Sequence, residues 1–126
     1  MVALLLILCL LAASCAFAAD ASSAVSAYFL NVGKADAALY RLDGHDYLVD
    51  TGTSDSADAM LATLDALGVM RLEGVVITHT DKDHVGGLKK LLKSGVTVER
   101  LYASPFSTDD ETDNPVIKRS EKYDIP

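Results

Sequence analysis

Four side chains that can bind a metal occur within six consecutive residues of this sequence, in the segment His79-Thr80-Asp81-Lys82-Asp83-His84. Imidazole nitrogens and carboxylate oxygens are common ligands of zinc and manganese. In a partly extended loop, His79, Asp81 and Asp83 point to the same side, and the adjacent His84 can swing to a second position. Such spacing suits two neighbouring cations that activate water for attack at neutral pH. The segment therefore predicts a metal site able to support hydrolysis.

The elements that position this segment follow from the spacing of apolar and turn residues. The apolar run Val75-Val76-Ile77 is typical of a strand buried on both faces, so the segment begins where a buried strand ends. Gly86-Gly87 allows the backbone to turn closely behind the ligands. Asp43-Gly44 predicts a tight hairpin between two earlier strands. The predicted strands are 24–30, 37–42, 47–49, 75–77 and 96–102, and the predicted helices are 57–67 and 85–93.

This order of elements predicts one layered α/β unit. Ser54 or Ser56 is expected to cap the first helix, and Gly68 to close it. After Ser104 the chain becomes polar and weakly patterned. Its acidic run from Asp109 to Asp113 is expected to be a mobile tail and not a ligand donor.

Residues 1–19 are predicted to be a targeting segment. They are uncharged after Met1 and rich in Leu, Ile and Ala, and Ala16-Phe17-Ala18 fits the pattern that signal peptidase cuts after. We expect an exported protein, secreted, periplasmic or membrane-anchored, that meets a membrane only through this segment. An uncleaved anchor and a lipid on Cys15 are alternatives. Cys9 and Cys15 both lie here, so any metal in the domain must be held by histidine and carboxylate groups.

The formal net charge of −7 argues against a nonspecific nucleic-acid binder, because that affinity comes mainly from lysine and arginine. Bound cations would reverse the sign locally. Lys89, Lys90 and Lys93 are explained by a solvated helix face. His45, beside the Asp43-Gly44 turn, is expected to be an exposed loop residue and not a ligand.

Three motifs, in order, resemble the metallo-β-lactamase superfamily. They are Asn31-Val32-Gly33-Lys34-Ala35-Asp36-Ala37, Asp50-Thr51-Gly52, and the His-x-Asp-x-Asp-His-x-Gly-Gly pattern at 79–87. The nearest likeness is to the soluble domain of ComEC-type competence proteins, whose opening strand ends in Asp-Val-Gly-Gln-Gly-Asp-Ala. The resemblance spans Tyr28 to Tyr102. It implies the N-terminal half of an αββα sandwich, a mixed sheet with helices packed on it, at 24–103, with 104–126 as a truncated continuation.

The resemblance also implies a metal-dependent hydrolase, phosphodiesterase-like or nuclease-like, acting on a phosphodiester or other small-molecule substrate. His79 and Asp81 would hold one divalent ion, and Asp83 and His84 a second. Zinc is expected first, and the extra carboxylate makes manganese a competitor. Asp83 would also orient or deprotonate the attacking water. Asp50 would lie behind the loop and steady it by hydrogen bonds.

The sequence departs from the family pattern in two ways. Asn31, Lys34 and Ala35 replace the Asp, Gln and Gly of the opening signature. No histidine and no Gly-Asp pair follow His84, although the family takes its remaining ligands from later loops. We therefore expect a truncated chain with a half-built site. The second hypothesis is a noncatalytic fragment that binds metal weakly at most.

Simpler interpretations of the loop are also available. Asp83 could cap a helix that begins near Val85, in a solvated turn, although this leaves the upstream motifs unexplained. An EF-hand calcium loop fits poorly, because its third carboxylate and distal glutamate are not at the required positions. Asp50 could equally be a strand-end cap.

Overall fold

The described chain alternates short strands with short helices. A computed structural model describes residues 24–104 and 114–126. The strands are β1 Val25–Phe29, β2 Ala38–Leu42, β3 His45–Val49, β4 Arg71–Leu72, β5 Gly74–Ile77, β6 Thr97–Val98 and β7 Leu101–Ala103. The helices are α1 Ala57–Ala66, α2 Lys82–Val85, α3 Leu88–Leu91 and α4 Pro115–Tyr123. The predicted targeting segment at 1–19, with both cysteines, and the acidic run at 109–113 lie outside the described residues.

Five strands form one mixed sheet in the order β1-β2-β3-β5-β7. β1, β2 and β3 are antiparallel, whereas β5 is parallel to β3 and β7 is parallel to β5. The predicted Asp43-Gly44 turn joins β2 to β3 with φ angles of 51° and 84°. The prediction of one continuous strand at 96–102 is wrong, because this range contains two short strands. β6 pairs with β4 in a separate two-stranded sheet, and β7 belongs to the large sheet.

One face of the large sheet is covered by helices and forms the core. Leu39, Leu48 and Val75 lie in register across β2, β3 and β5, and each is fully buried. Each such side chain stabilises the fold by about 2 kcal/mol through burial alone. From the helices, Met60, Leu64, Leu88, Leu91 and Val116 join the same cluster. The core therefore lies on the face of the sheet opposite to the exposed side chain of Phe29.

The first helix follows its predicted limits closely. Gly68 follows the C-cap residue Leu67 with a φ of 72°, as expected of a glycine that closes a helix. Ser56 occupies the N-cap position, but it makes no side-chain capping bond. Its hydroxyl instead accepts a hydrogen bond from the N–H of Thr53 at 3.0 Å. The turn before α1 is therefore stabilised locally and not by a conventional cap.

The predicted helix 85–93 is wrong in its limits. It is replaced by α2, which starts at Lys82, and α3, which starts at Leu88. A further helix, α4, lies in the segment after Ser104 where no element was predicted. The side chain of Asn114 caps it by accepting from the N–H of Val116 at 2.8 Å. None of the helices in the described ranges is long and apolar enough to cross a membrane.

Candidate metal centre

The topology brings three separate segments to one edge of the sheet. β3 and β5 are parallel, so Asp50 after β3 lies beside Thr78 after β5. β2 runs antiparallel to β3, and its first residue, Ala38, pairs with Val49. Asp36, just before β2, therefore reaches the same edge. Side chains far apart in the sequence meet here because strand ends coincide.

The loop after β5 changes conformation at Asp81. Asp81 itself is extended, with φ −65° and ψ 149°, and it is the N-cap residue of α2. The expectation of an extended loop is therefore wrong beyond this point, since Asp83 and His84 lie in a helical turn. The helix-cap interpretation of Asp83 is also wrong, because Asp83 lies inside α2. The turn brings His84 back towards His79, with their ring centroids 3.7 Å apart.

Three of the predicted ligands form one compact group. One donor atom from each of His79, Asp83 and His84 lies within 4.8 Å of the others. Nε2 of His84 is 3.7 Å from Oδ2 of Asp83. Nε2 of His79 is 3.6 Å from Oδ2 of Asp81. Asp81 stands outside the group of three, and its side chain is 78% exposed.

The spacing in this loop matches that of ligands around a cation. Two donor atoms bound to one tetrahedral ion at about 2.1 Å lie roughly 3.4 Å apart. The two nitrogen–oxygen separations, 3.6 and 3.7 Å, are near that value and exceed the length of a hydrogen bond. Among the described residues, no lysine or arginine forms an ion pair with Asp81 or Asp83. The donor set therefore fits a divalent metal.

Buried Asp50 organises both imidazoles from behind. Its Oδ2 accepts hydrogen bonds from Nδ1 of His84 at 2.8 Å and from the hydroxyl of Thr78 at 2.7 Å. Its Oδ1 accepts from the N–H of Thr78 at 2.9 Å. Because the Thr78 hydroxyl donates to Asp50, its oxygen is left to accept from Nδ1 of His79, 3.0 Å away. Nε2 of each histidine is thereby the ring nitrogen that faces a carboxylate.

The electrostatic field at His84 favours positive charge. Burial of the ring opposes protonation, but the hydrogen bond and the charge of Asp50 outweigh it, and the pKa of His84 is raised. The charges of Asp83 and Asp36 act in the same direction. The same carboxylates would stabilise a cation bound at Nε2.

The backbone behind the predicted ligands is closely packed. The N–H and the hydroxyl of Thr51 both donate to the carbonyl of His84, at 2.7 and 2.8 Å. The N–H of Gly87 donates to the carbonyl of Gly52 at 3.1 Å. A Cβ atom on Gly87 would collide with the carbonyl oxygen of Thr51, and one on Gly86 would lie 2.7 Å from the nitrogen of Ser54. The paired glycines let two loops touch.

Asp36 is a residue of this edge that was not predicted as part of the site. Its Oδ2 lies 3.4 Å from Nε2 of His84. The sequence contained a signal, since Asp36 belongs to the opening motif and precedes a strand that pairs with the one before Asp50. His45 is exposed as predicted, but it is the first residue of β3 and not a loop residue. Its Nδ1 lies 3.4 Å from Oε1 of Glu73, away from the predicted site.

Comparisons with known proteins give a consistent picture. Residues 30–106 match the family model described as Metallo-beta-lactamase superfamily, which is more than half of the chain. Over 80 residues the chain is 36% identical to Recombination protein 2 of Haemophilus influenzae (strain ATCC 51907 / DSM 11121 / KW20 / Rd), a match that covers 60% of this chain and 10% of that protein. The chain thus spans about a tenth of the length of this relative.

Two solved structures resemble part of this chain. A metallo-beta-lactamase with a HARLDQ motif from Cronobacter sakazakii superposes with a TM-score of 0.52 at 22% identity, over 60% of this chain and 29% of that one. A diphosphatase from the PhnP family gives a TM-score of 0.46 at 27% identity, over 70% of this chain and 33% of the other. The first likeness, with the mixed sheet and its helices, confirms the predicted fold class.

Proposed function

The chain belongs to the metallo-beta-lactamase superfamily, and from this premise we propose that it is a metal-dependent hydrolase. The observation that carries the proposal is the convergence of His79, Asp83 and His84 at one strand edge. Their donor atoms are spaced as ligands and are oriented from behind by Asp50.

In this proposal, His79 and Asp81 bind one divalent ion, and Asp83 and His84 bind another. Zinc is our first expectation, and manganese competes because two of these four donors are carboxylates. Bound divalent ions would supply a Lewis acid that polarises the substrate oxygen and acidifies a water molecule.

The chain's own residues would orient the reaction and move the proton. The carboxylate of Asp83, half exposed beside Nε2 of His84, can accept a proton from the attacking water. Asp50 keeps the Nδ1 proton of His84 in place, so that Nε2 remains the metal-facing atom. The hydroxyl of Thr78, itself bound to Asp50, holds Nδ1 of His79 in the same way.

For the substrate we propose a phosphodiester. The name of the relative, Recombination protein 2, refers to a process on nucleic acid, and this supports the choice. The net charge of −7 opposes unspecific binding to phosphates, so the bound cations would have to attract the scissile group. We further propose that residues 1–19 direct export of the protein, by secretion or by anchoring in a membrane.

Metal analysis together with hydrolysis of bis-para-nitrophenyl phosphate tests this function. The wild-type chain, loaded with zinc or manganese, should retain metal through gel filtration and hydrolyse the ester, whereas His84→Ala should lose both properties. His45→Ala is the matched control, because its ring lies at the other end of the sheet. Equal metal content in wild type and His84→Ala would contradict the proposal.

Asp81→Ala tests the ligand set. If Asp81 binds an ion together with His79, the substitution should lower metal occupancy without unfolding the chain, since the side chain is exposed. Occupancy equal to that of the wild type would remove Asp81 from the ligand set.

A second candidate function is metal binding with little catalysis. The observation in its favour is the small number of donors, since the described residues hold two imidazoles at the site and His45 lies elsewhere. Shared between two ions, these donors leave several positions open on each. The 126-residue chain should then bind metal weakly and turn over slowly. Robust turnover by this chain would contradict the second candidate and support the first.

A further inference from the structure

Asp36 lies outside the His79–His84 motif, yet it faces the same imidazole. Its Oδ2 is 3.4 Å from Nε2 of His84, closer than Oδ2 of Asp83 at 3.7 Å. The Asp36 side chain is 72% exposed, and within residues 24–104 and 114–126 no lysine or arginine forms an ion pair with it. An exposed carboxylate is thus directed at the metal-facing nitrogen of His84.

The backbone holds Asp36 at this position from two sides. Its N–H donates to the carbonyl of Asp83 at 3.1 Å, which ties it to the metal loop. Its carbonyl accepts from the N–H of Gly52 at 2.8 Å, which ties it to the turn after Asp50. The β1–β2 loop is therefore fastened to both segments that build the site. This placement needs no packing of the Asp36 side chain.

A direct hydrogen bond between Asp36 and His84 does not account for the approach. An N–H···O bond to a carboxylate usually measures about 2.7–2.9 Å. The observed 3.4 Å is too long for such a bond. It equals the separation of roughly 3.4 Å expected between two ligands of one tetrahedral ion.

We propose that Asp36 is a third protein ligand of the cation held by His84 and Asp83, an assignment that rests on the metal centre proposed above. Asp36 stands outside the compact group of His79, Asp83 and His84, so its exposed side chain would have to turn towards Asp83 when the ion binds. Three protein ligands and one open position are typical of catalytic metal sites. The β1–β2 loop thereby supplies a donor that the motif itself lacks. Two carboxylates and one imidazole form a harder ligand set than Asp83 and His84 alone. Such a set favours manganese for the ion held by His84.

Calorimetric titration of Mn²⁺ into the full chain tests the assignment, with Asp36→Asn compared to Asp65→Asn. Asp65 is an exposed carboxylate near the end of α1, so its substitution removes the same charge away from the site. We expect Asp36→Asn to weaken Mn²⁺ binding by about tenfold or more, because affinity follows the number of charged ligands. Asp65→Asn should stay within about twofold of wild type, because salt screens distant charges.

The visible spectrum of bound Co²⁺ separates a lost ligand from a lost distant charge. Asp36→Asn should change the intensity and position of the Co²⁺ bands, and Asp65→Asn should leave them unchanged. Thermal unfolding without metal should be the same for Asp36→Asn and wild type. If it is not, Asp36→Ser serves as the second variant.

The outcomes distinguish this assignment from the proposed function. If the wild-type chain binds neither Mn²⁺ nor Co²⁺, the proposed metal centre fails, and the role of Asp36 fails with it. If the wild type binds both ions, and Asp36→Asn binds them equally with an unchanged Co²⁺ spectrum, Asp36 is not a ligand. The proposed metal centre then stands on the other donors.

Discussion

The two ends of the large sheet both carry charged side chains, but the charges are arranged differently. Where β3 and β5 finish, Asp36 and Asp83 lie 3.4 and 3.7 Å from an imidazole nitrogen, without a lysine or arginine partner in the described residues. At the other end, Arg71 pairs with Glu73 at 3.0 Å and with Glu99 at 2.8 Å. One end has matched opposite charges, and the other concentrates carboxylates around histidines.

This difference is the reason why we propose the carboxylate-rich end, and not the paired end, as the functional site. Paired surface charges already satisfy one another and contribute little free energy of folding. The paired end even includes a hollow of about 280 Å³ between Tyr47 and Tyr102. A polar hollow alone is therefore weak evidence of function. Carboxylates that converge without an opposite charge are costly, and a cation removes that cost.

Replacement of Gly87 should have the largest effect on stability. In Gly87→Ala the new Cβ collides with the carbonyl of Thr51, and the free energy of unfolding should fall by about 3 kcal/mol. Gly95→Ala is the control, because a Cβ there meets open space and only the positive φ of 93° adds strain, about 1 kcal/mol. Chemical denaturation measures both. Equal losses would show that the contact behind the metal loop is not tight.

Added metal should stabilise the chain through the carboxylate-rich end. At a zinc or manganese concentration of one hundred times Kd, the free energy of unfolding should rise by about 2.7 kcal/mol. His84→Ala should abolish this gain, and His45→Ala, at the paired end, should retain it. Thermal unfolding with and without metal gives the comparison. A gain that survives His84→Ala would place the cation elsewhere.

Two buried aspartates, Asp46 and Asp50, lie at opposite ends of β3 and allow the two ends to be compared directly. Asp50→Asn should weaken metal binding by about 10-fold to 100-fold, because the support of His84 is disturbed. Asp46→Asn removes the negative charge and one of the two oxygens that accept from Arg41 at 2.7 and 2.8 Å, and it should lower stability without changing metal affinity. Titration calorimetry and denaturation on both variants separate the effects. Equal metal affinities in the two variants would remove the distinction between the ends.

Substitution within the exposed ion pairs should have the smallest effect. Arg71→Gln should leave metal affinity within about twofold of wild type, because salt screens the charge of Arg71 at the distance that separates the two ends of the sheet. The hydrogen bond from Arg71 lowers the pKa of Glu73. The stability from this pair is therefore present above the ordinary glutamate pKa and is lost as the pH falls through the lowered value. As the pH is lowered, the free energy of unfolding should fall less in Arg71→Gln than in wild type, which denaturation at several pH values measures. An identical fall in both proteins would contradict the pairing.

Much of the architecture could be predicted from local pattern. The Asp43-Gly44 hairpin, the limits of α1 and the buried strand β5 follow from turn residues and apolar spacing, which act within a few positions. The wrong prediction at 96–102 has a non-local cause, since β6 pairs with β4, a contact between distant segments that no local pattern specifies. The unpredicted helix α4 did have a local signal, because Asn114-Pro115 is a typical helix start.

The amino-acid sequence alone determined the chemistry available at the site: two imidazoles and two carboxylates in one short segment, with glycines behind them. The tertiary structure decided which of their atoms converge. The helical turn at Lys82–Val85 brings His84 towards His79. The pairing of β2 with β3 places Asp36, in the β1–β2 loop, at the same end of the sheet. Residue types and turn preferences act locally, whereas the meeting of strand ends depends on register between distant segments. For that reason the motif was visible in the sequence, and the role we propose for Asp36 was not.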